Sequence, residues 1–185
     1  MTFDVELDSS PEETHENSRD AFAELYEQYM PKVYRYINFR IRDEDTSQDL
    51  TSTVFQKALS KFSGFNPHKA SFSTWIFTIT RNTVIDYYRV HKKHEHSEPW
   101  TSEYTPAESP SPEEEVIRTE YTQKLRDFLS RLKKREQDVI ILKYSNGMSN
   151  REIAEALNLT ESNVGSILCR TIRRLRNSFM EWQNE

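Results

Sequence analysis

The chain has 185 residues, enough for one ordinary domain or two small ones. Only three glycines, 30% charged residues and no alternating β-branched run argue against a strand-rich fold, and the longest apolar runs fall far short of the roughly 20 residues of a membrane span. The net charge of −5 hides an uneven split: residues 1–20 carry −6 and residues 95–120 carry −7, which leaves +8 on the remainder, a sign that suits polyanionic partners.

Residues 1–18 are acidic and poor in apolar groups, and an acidic disordered tail is expected there. A start with neither a basic cluster nor an apolar stretch is unlike a secretory signal, so a cytoplasmic location is expected. From Asp20 onward Phe22, Leu25, Tyr26, Tyr29, Val33, Tyr36 and Ile37 recur at three- and four-residue steps, the pattern of an amphipathic helix that Pro31 should bend or divide. Asp43 or Asp45 can cap a second helix marked by Leu50, Val54, Phe55, Ala58, Leu59 and Phe62. Gly64, Asn66 and Pro67 signal a loop, after which Ser71 or Ser73 opens a third helix with Phe72, Trp75, Ile76 and Ile79 on one face, running to about Lys93. Residues 95–118, with Pro99, Pro106, Pro110 and Pro112, read as an acidic flexible linker. Helical periodicity returns with Leu125, Phe128, Leu129 and Leu132, then Val139, Ile140 and Leu142. The expectation is an all-α chain of two small helical domains, 19–94 and 119–182, joined by the linker.

The C-terminal domain carries the sharper motif. Ser149-Asn150-Arg151-Glu152 fits a capping box, in which hydroxyl and carboxylate satisfy each other's backbone N–H. The helix it starts turns Ile153, Ala154 and Leu157 inward and should stop at Asn158, a residue that tolerates left-handed backbone. Thr160 can cap the next helix, so residues 149–176 have the spacing of a helix-turn-helix, with Val164 and Ile167 as its inner anchors. Arg151, Thr160, Ser162, Asn163, Ser166, Arg170, Arg173 and Arg174 would then face the major groove and its phosphates, and no acid lies between Thr171 and Ser178 to pair the arginines.

The stretch from Phe72 to Lys93 mixes aromatics with cations, a combination suited to single-stranded DNA, whose bases stack on rings while Lys and Arg follow the backbone. Its candidates are Trp75, Arg81, Asn82, Tyr88, Arg89, Lys92 and Lys93, with the Asn82 amide able to read an exposed base edge. About half of its aromatics are expected to serve packing.

Three blocks together resemble a family. Asp49 to Leu59 is similar to region 2.2 of sigma-70-type factors, Phe72 to Lys93 resembles regions 2.3 and 2.4, and Leu132 to Arg176 resembles region 4. With nothing between the blocks but a linker, the match is to the minimal extracytoplasmic-function group. The resemblance implies docking on the coiled coil of the largest subunit of core RNA polymerase through Asp49, Leu50, Thr53, Val54, Phe55, Lys57 and Ala58. It implies reading of the −10 promoter element by Asn82 and by the loop from Gly64 to Ala70, where Phe65 and Asn66 lie, and of the −35 element by the helix-turn-helix, which also rests on the polymerase flap. An anti-sigma partner is implied as well, and no enzymatic activity, cofactor or membrane insertion. Two departures stand out: Gly165 occupies a position where family members often carry a long basic residue, and Thr51-Ser52-Thr53 lacks a usual acid, so that docking should lean on Asp49 and packing.

Other readings are weaker. His91, His94 and His96 beside Glu95 prompt a metalloenzyme, but they lie where a basic helix gives way to linker and follow no H-E-x-x-H spacing. A one-component regulator using only the helix-turn-helix would leave the Asp49–Lys93 block without a task. The single cysteine, Cys169, has no disulfide partner within the chain and is expected to be a small apolar residue packed inside a helix.

Overall fold

The computed structural model describes the backbone of residues 11–91 and 112–183, and the side chains of residues 20–91 and 120–183. The fold is all-α, and among the described residues there is no strand. An N-terminal unit consists of α1 (Pro11–Ile41), α2 (Glu44–Lys61), a short 3₁₀ turn (Phe62–Gly64) and α3 (Phe72–His91). A C-terminal unit consists of α4 (Pro112–Ser130), α5 (Lys134–Ile140), a π turn (Ile141–Ser145), α6 (Asn150–Leu157) and α7 (Glu161–Gln183).

The N-terminal unit is a helical bundle because each helix buries one apolar stripe. Val33, Tyr36 and Ile37 of α1 meet Val54, Phe55 and Ala58 of α2 and Ile76, Phe77 and Val84 of α3, all at most 5% exposed. Pro31 does not divide α1. A proline removes one backbone donor, and the helix on its C-terminal side is held by the buried Val33, Tyr36 and Ile37. The chain reverses between α1 and α2 at Arg42, which takes left-handed backbone (φ 63°), and at Asp43, whose Oδ1 caps α2 by accepting the Thr46 N–H at 2.8 Å. Hydrogen bonds from Thr46 hold the Asp43 carboxyl below its ordinary range.

Two expected boundaries move. Helical backbone begins at Pro11 rather than near Asp20, and at Pro112 rather than near residue 119. Proline suits the first turn of a helix, where its missing N–H has no intrahelical partner to lose, so Pro112, read as part of the linker, stands where a helix begins. Residues 1–10 and the linker from 95 to 111 lie outside the described residues.

In the C-terminal unit the Gln137 amide donates to the Leu129 and Leu132 carbonyls at 3.0 and 3.2 Å, satisfying the end of α4. The π turn then leads through Gly147, whose φ of 70° favours glycine, into α6. The units also touch: α3 packs on α6, and α1 meets the π turn. No described helix is long and apolar enough to cross a membrane.

Candidate nucleic-acid interface

The helix-turn-helix forms as its caps dictate. Ser149 Oγ accepts the Glu152 N–H at 3.2 Å while Glu152 accepts the Ser149 N–H at 2.9 Å. Asn158 ends α6 in left-handed backbone (φ 54°, ψ 55°), and Leu159 N–H donates to the Ala154 carbonyl at 2.8 Å. Two residues later Thr160 Oγ1 accepts the Asn163 N–H at 3.2 Å and opens α7. With Ile153 and Val164 both fully buried, the two helices are fixed against each other around one core.

Every residue expected to face DNA here is exposed: Arg151, Thr160, Ser162, Asn163, Ser166, Arg170, Arg173 and Arg174. Arg151 pairs with Glu155 at 3.2 Å. The arginine face of α7 does find one acid, from another helix: Arg174 Nη1 lies 3.3 Å from Glu136 of α5. Arg170 and Arg173 have no such partner among the described residues. Gly165 is half-buried, and an added Cβ would come into ordinary contact with the Asn150 side-chain nitrogen at 3.9 Å. Cys169 is exposed rather than packed inside the helix. The inward stripe of α7 is Val164, Ile167, Leu168 and Thr171, which leaves position 169 on the solvent side.

Glu152 ties the motif to the other unit. Burial pushes its carboxyl up, but hydrogen bonds from the Ser149 backbone, Ser71 and the Ser149 hydroxyl outweigh that and hold it below its ordinary value. A carboxyl held low adds stability that is complete above about pH 5 and fades as pH falls through its folded value, below the ordinary value of about 4.3. Thermal melts between pH 6 and pH 3 should therefore show a stability loss that is smaller in Glu152→Gln than in the parent, with the remainder carried by other low-held carboxyls such as Asp43.

The N-terminal candidates divide by burial. On α3, Asn82 is exposed and shares a stripe with Ile85, Asp86 and Arg89, the last two paired at 3.2 Å. Arg81 is half-buried and lines a cavity against the C-terminal unit. Tyr88 also turns that way, with its hydroxyl donating to the Arg40 carbonyl and Lys134 Nζ 4.3 Å from its ring centre. Phe65 and Trp75, 5.0 Å apart between ring centres, belong to an aromatic cluster with Phe62 and Phe72. Asn66 shapes its own loop by accepting the His68 N–H at 2.9 Å. Lys92 and Lys93 lie outside the described residues, as do His94 and His96. His91 stacks on Tyr87 at 4.2 Å, and no group of three metal-ligating side chains occurs among the described residues.

The α2 candidates also split. Asp49 is exposed, Leu50 and Thr53 are half-buried, and Lys57 reaches Thr83 Oγ1 at 3.2 Å. Val54, Phe55 and Ala58 are 0, 5 and 0% exposed, so in this structure they support the helix from behind. The outer stripe is Asp49, Ser52, Gln56 and Leu59, and Leu59 is 56% exposed. The apolar periodicity had placed Leu59 inward. A single exposed leucine within a polar stripe is what apolar periodicity alone misses.

Comparison with known proteins gives two family models in chain order, Sigma-70 region 2 over residues 25–94 and Sigma-70, region 4 over residues 122–175. RNA polymerase sigma factor YlaC of Bacillus subtilis is 33% identical over 168 residues, covering 90% of this chain and 96% of that protein. ECF RNA polymerase sigma factor BldN of Streptomyces coelicolor is 33% identical over 158 residues, and the match spans 59% of that longer relative. Two solved structures share the fold. The sigma factor RpoE in complex with the anti-sigma factor NepR from Bartonella quintana has a TM-score of 0.66 at 20% identity, over 86% of this chain and 97% of that one. CnrH in complex with the cytosolic domain of CnrY has a TM-score of 0.63 at 21% identity, over 88% of this chain and 90% of that one.

Proposed function

Because this chain belongs to the sigma-70 family of RNA polymerase sigma factors, in its extracytoplasmic-function group, we propose that it docks on core polymerase through the outer stripe of α2 and directs initiation by reading two promoter elements. The observation that carries this reading is the pairing on one chain of two different readers. One is a capped helix-turn-helix with Ser162, Asn163, Ser166 and Arg170 exposed on α7. The other is the exposed Asn82 stripe of α3 beside an aromatic loop.

Duplex DNA at the −35 element receives the N-terminal half of α7, whose side chains meet base edges while Arg173 meets phosphate. At the −10 element the strands are open, and Asn82 and the loop from Gly64 to Ala70 take unstacked bases. The acidic, proline-rich sequence between α3 and α4 serves as tether, and its 20 undescribed residues reach at most about 70 Å when extended. The protein makes and breaks no bond, needs no cofactor and works in the cytoplasm, where its polymerase is. An anti-sigma protein is a further partner, as one is for the RpoE structure that shares this fold.

Run-off transcription with purified core polymerase on genomic fragments tests the proposal, with specific transcripts expected only when the chain is added. A chain that neither binds core nor yields any transcript overturns it. Arg173→Ala should weaken every promoter alike and reduce the salt slope of binding by about 1, as loss of one phosphate contact does.

A further inference from the structure

One cavity of the fold collects cations. Its volume is about 230 Å³, and Arg40 of α1, Arg81 of α3 and Lys134 and Arg135 of α5 line it together with a single carboxylate, Asp138. Four cations against one acid give the lining a net charge of +3. Its apolar wall includes Val84 of α3 and Leu157 of α6, which are 1% and 5% exposed.

These charges are not balanced within the cavity. Asp138 is already engaged, since it accepts the Tyr36 hydroxyl at 2.8 Å and the Arg40 guanidinium, and the Arg40 and Asp138 side chains are 6% and 10% exposed. Lys134 Nζ lies 4.3 Å from the centre of the Tyr88 ring, which attracts the cation without cancelling its charge. Arg81 and Arg135 have neither an ion pair nor a hydrogen bond to any described residue, although Arg81 is half-buried. A guanidinium carries five N–H donors and keeps its proton, so a half-buried one without an acceptor needs one from outside the chain. Water can accept those hydrogen bonds but does not offset the repulsion of several cations around one space. An anion does both.

We propose that this cavity is a binding site for a small phosphate-bearing anion, held by Arg81, Lys134 and Arg135. A cleft lined by one sign of charge and walled by apolar groups focuses its field and concentrates counter-ions. The excess of positive charge favours a multiply charged anion, and guanidinium forks match phosphoryl oxygens two at a time. Asp138 does not compete for these cations, because Tyr36 and Arg40 already occupy it. The volume lies below the about 300–1,000 Å³ of pockets for drug-sized ligands. The cavity therefore suits a group the size of pyrophosphate, and would hold a nucleotide only by its phosphate end. Binding here does not depend on the promoter-reading role of Arg81.

Titration calorimetry of the full chain with sodium pyrophosphate, at constant ionic strength and without divalent metal, tests this. Saturable binding at one site per chain is expected. Arg81→Gln and Arg135→Gln should each weaken it about tenfold or more, as loss of a charge-assisted hydrogen bond does, and the double variant should show no saturation. Arg81→Lys keeps the charge but loses the fork, so its affinity should fall between those of the parent and Arg81→Gln. Lys61→Gln, an equal change of net charge at the exposed end of α2, should bind as the parent does. Circular dichroism of each variant separates lost binding from lost fold, and Arg135 is exposed, so its replacement leaves the core intact. No saturable binding by the parent, or equal affinity in the parent, Arg81→Gln and Arg135→Gln, overturns the site. Sulfate binding as tightly as pyrophosphate overturns the assignment to phosphate chemistry. A nucleoside diphosphate is the remaining arm: weaker binding than pyrophosphate names the free anion as the ligand, and tighter binding names the phosphate end of a nucleotide.

Discussion

Replacing Ile153 by alanine should cost about 2–5 kcal/mol and abolish recognition of the −35 duplex while leaving the N-terminal unit folded. Ile153 is fully buried at the point where α6 meets α7, and the core there is small: Val139, Leu142, Ala154, Leu157, Val164 and Ile167 are its main neighbours in burial. Domains of this size are stable by only about 5–15 kcal/mol, so a cavity of that cost consumes a large share of the total. Calorimetry should show an early transition belonging to α4–α7 and a later one close to that of the parent. Ile153→Val, which removes one methylene, should cost about 0.5–1.5 kcal/mol and keep duplex binding. A single unshifted melt for Ile153→Ala would mean that the packing of α6 on α7 contributes far less than its burial implies.

Asn82→Ala should change promoter choice without changing fold or docking. The side chain is exposed on α3 and supports no core contact, so the stability change should stay within about 0.5 kcal/mol. A side chain that reads a base edge through two hydrogen bonds discriminates by about 1–3 kcal/mol, a preference of roughly fivefold to more than a hundredfold. Transcription from templates randomised across the −10 element should therefore lose its bias at one position, with affinity for core polymerase intact. If Asn82→Ala and Arg173→Ala produced the same promoter profile, the division of labour between the units would be wrong.

Local chemistry was readable in the sequence, and the residues show why. Ser149, Asn158 and Thr160 act within four residues of themselves, so their hydroxyls and left-handed backbone can be assigned from spacing. Asp43 was one of two candidate caps, and Ser71 one of two others; Ser71 Oγ accepts the Thr74 N–H at 3.2 Å. Prolines misled because one residue type both opens and breaks helices: Pro112 begins a helix, and Pro31 sits inside one. Leu59 and Cys169 misled because an apolar residue near an inward stripe need not belong to it. The contact between the two units was out of reach altogether. Tyr36 and Asp138 are separated by 102 positions and Arg40 and Asp138 by 98, and neither helical periodicity nor capping carries information over such a distance.

Gly165 has a consequence for how this protein can change. Its neighbours demand no glycine there, and almost any side chain would favour the helix by up to about 1 kcal/mol. A Cβ is therefore accommodated at this position beside the Asn150 side chain, so alanine in place of Gly165 should leave the packing of α6 on α7 as it is. On the proposed reading of α7, a basic side chain at position 165 would stand beside the residues assigned to the −35 duplex, so that promoter choice and helix stability could change together at one position.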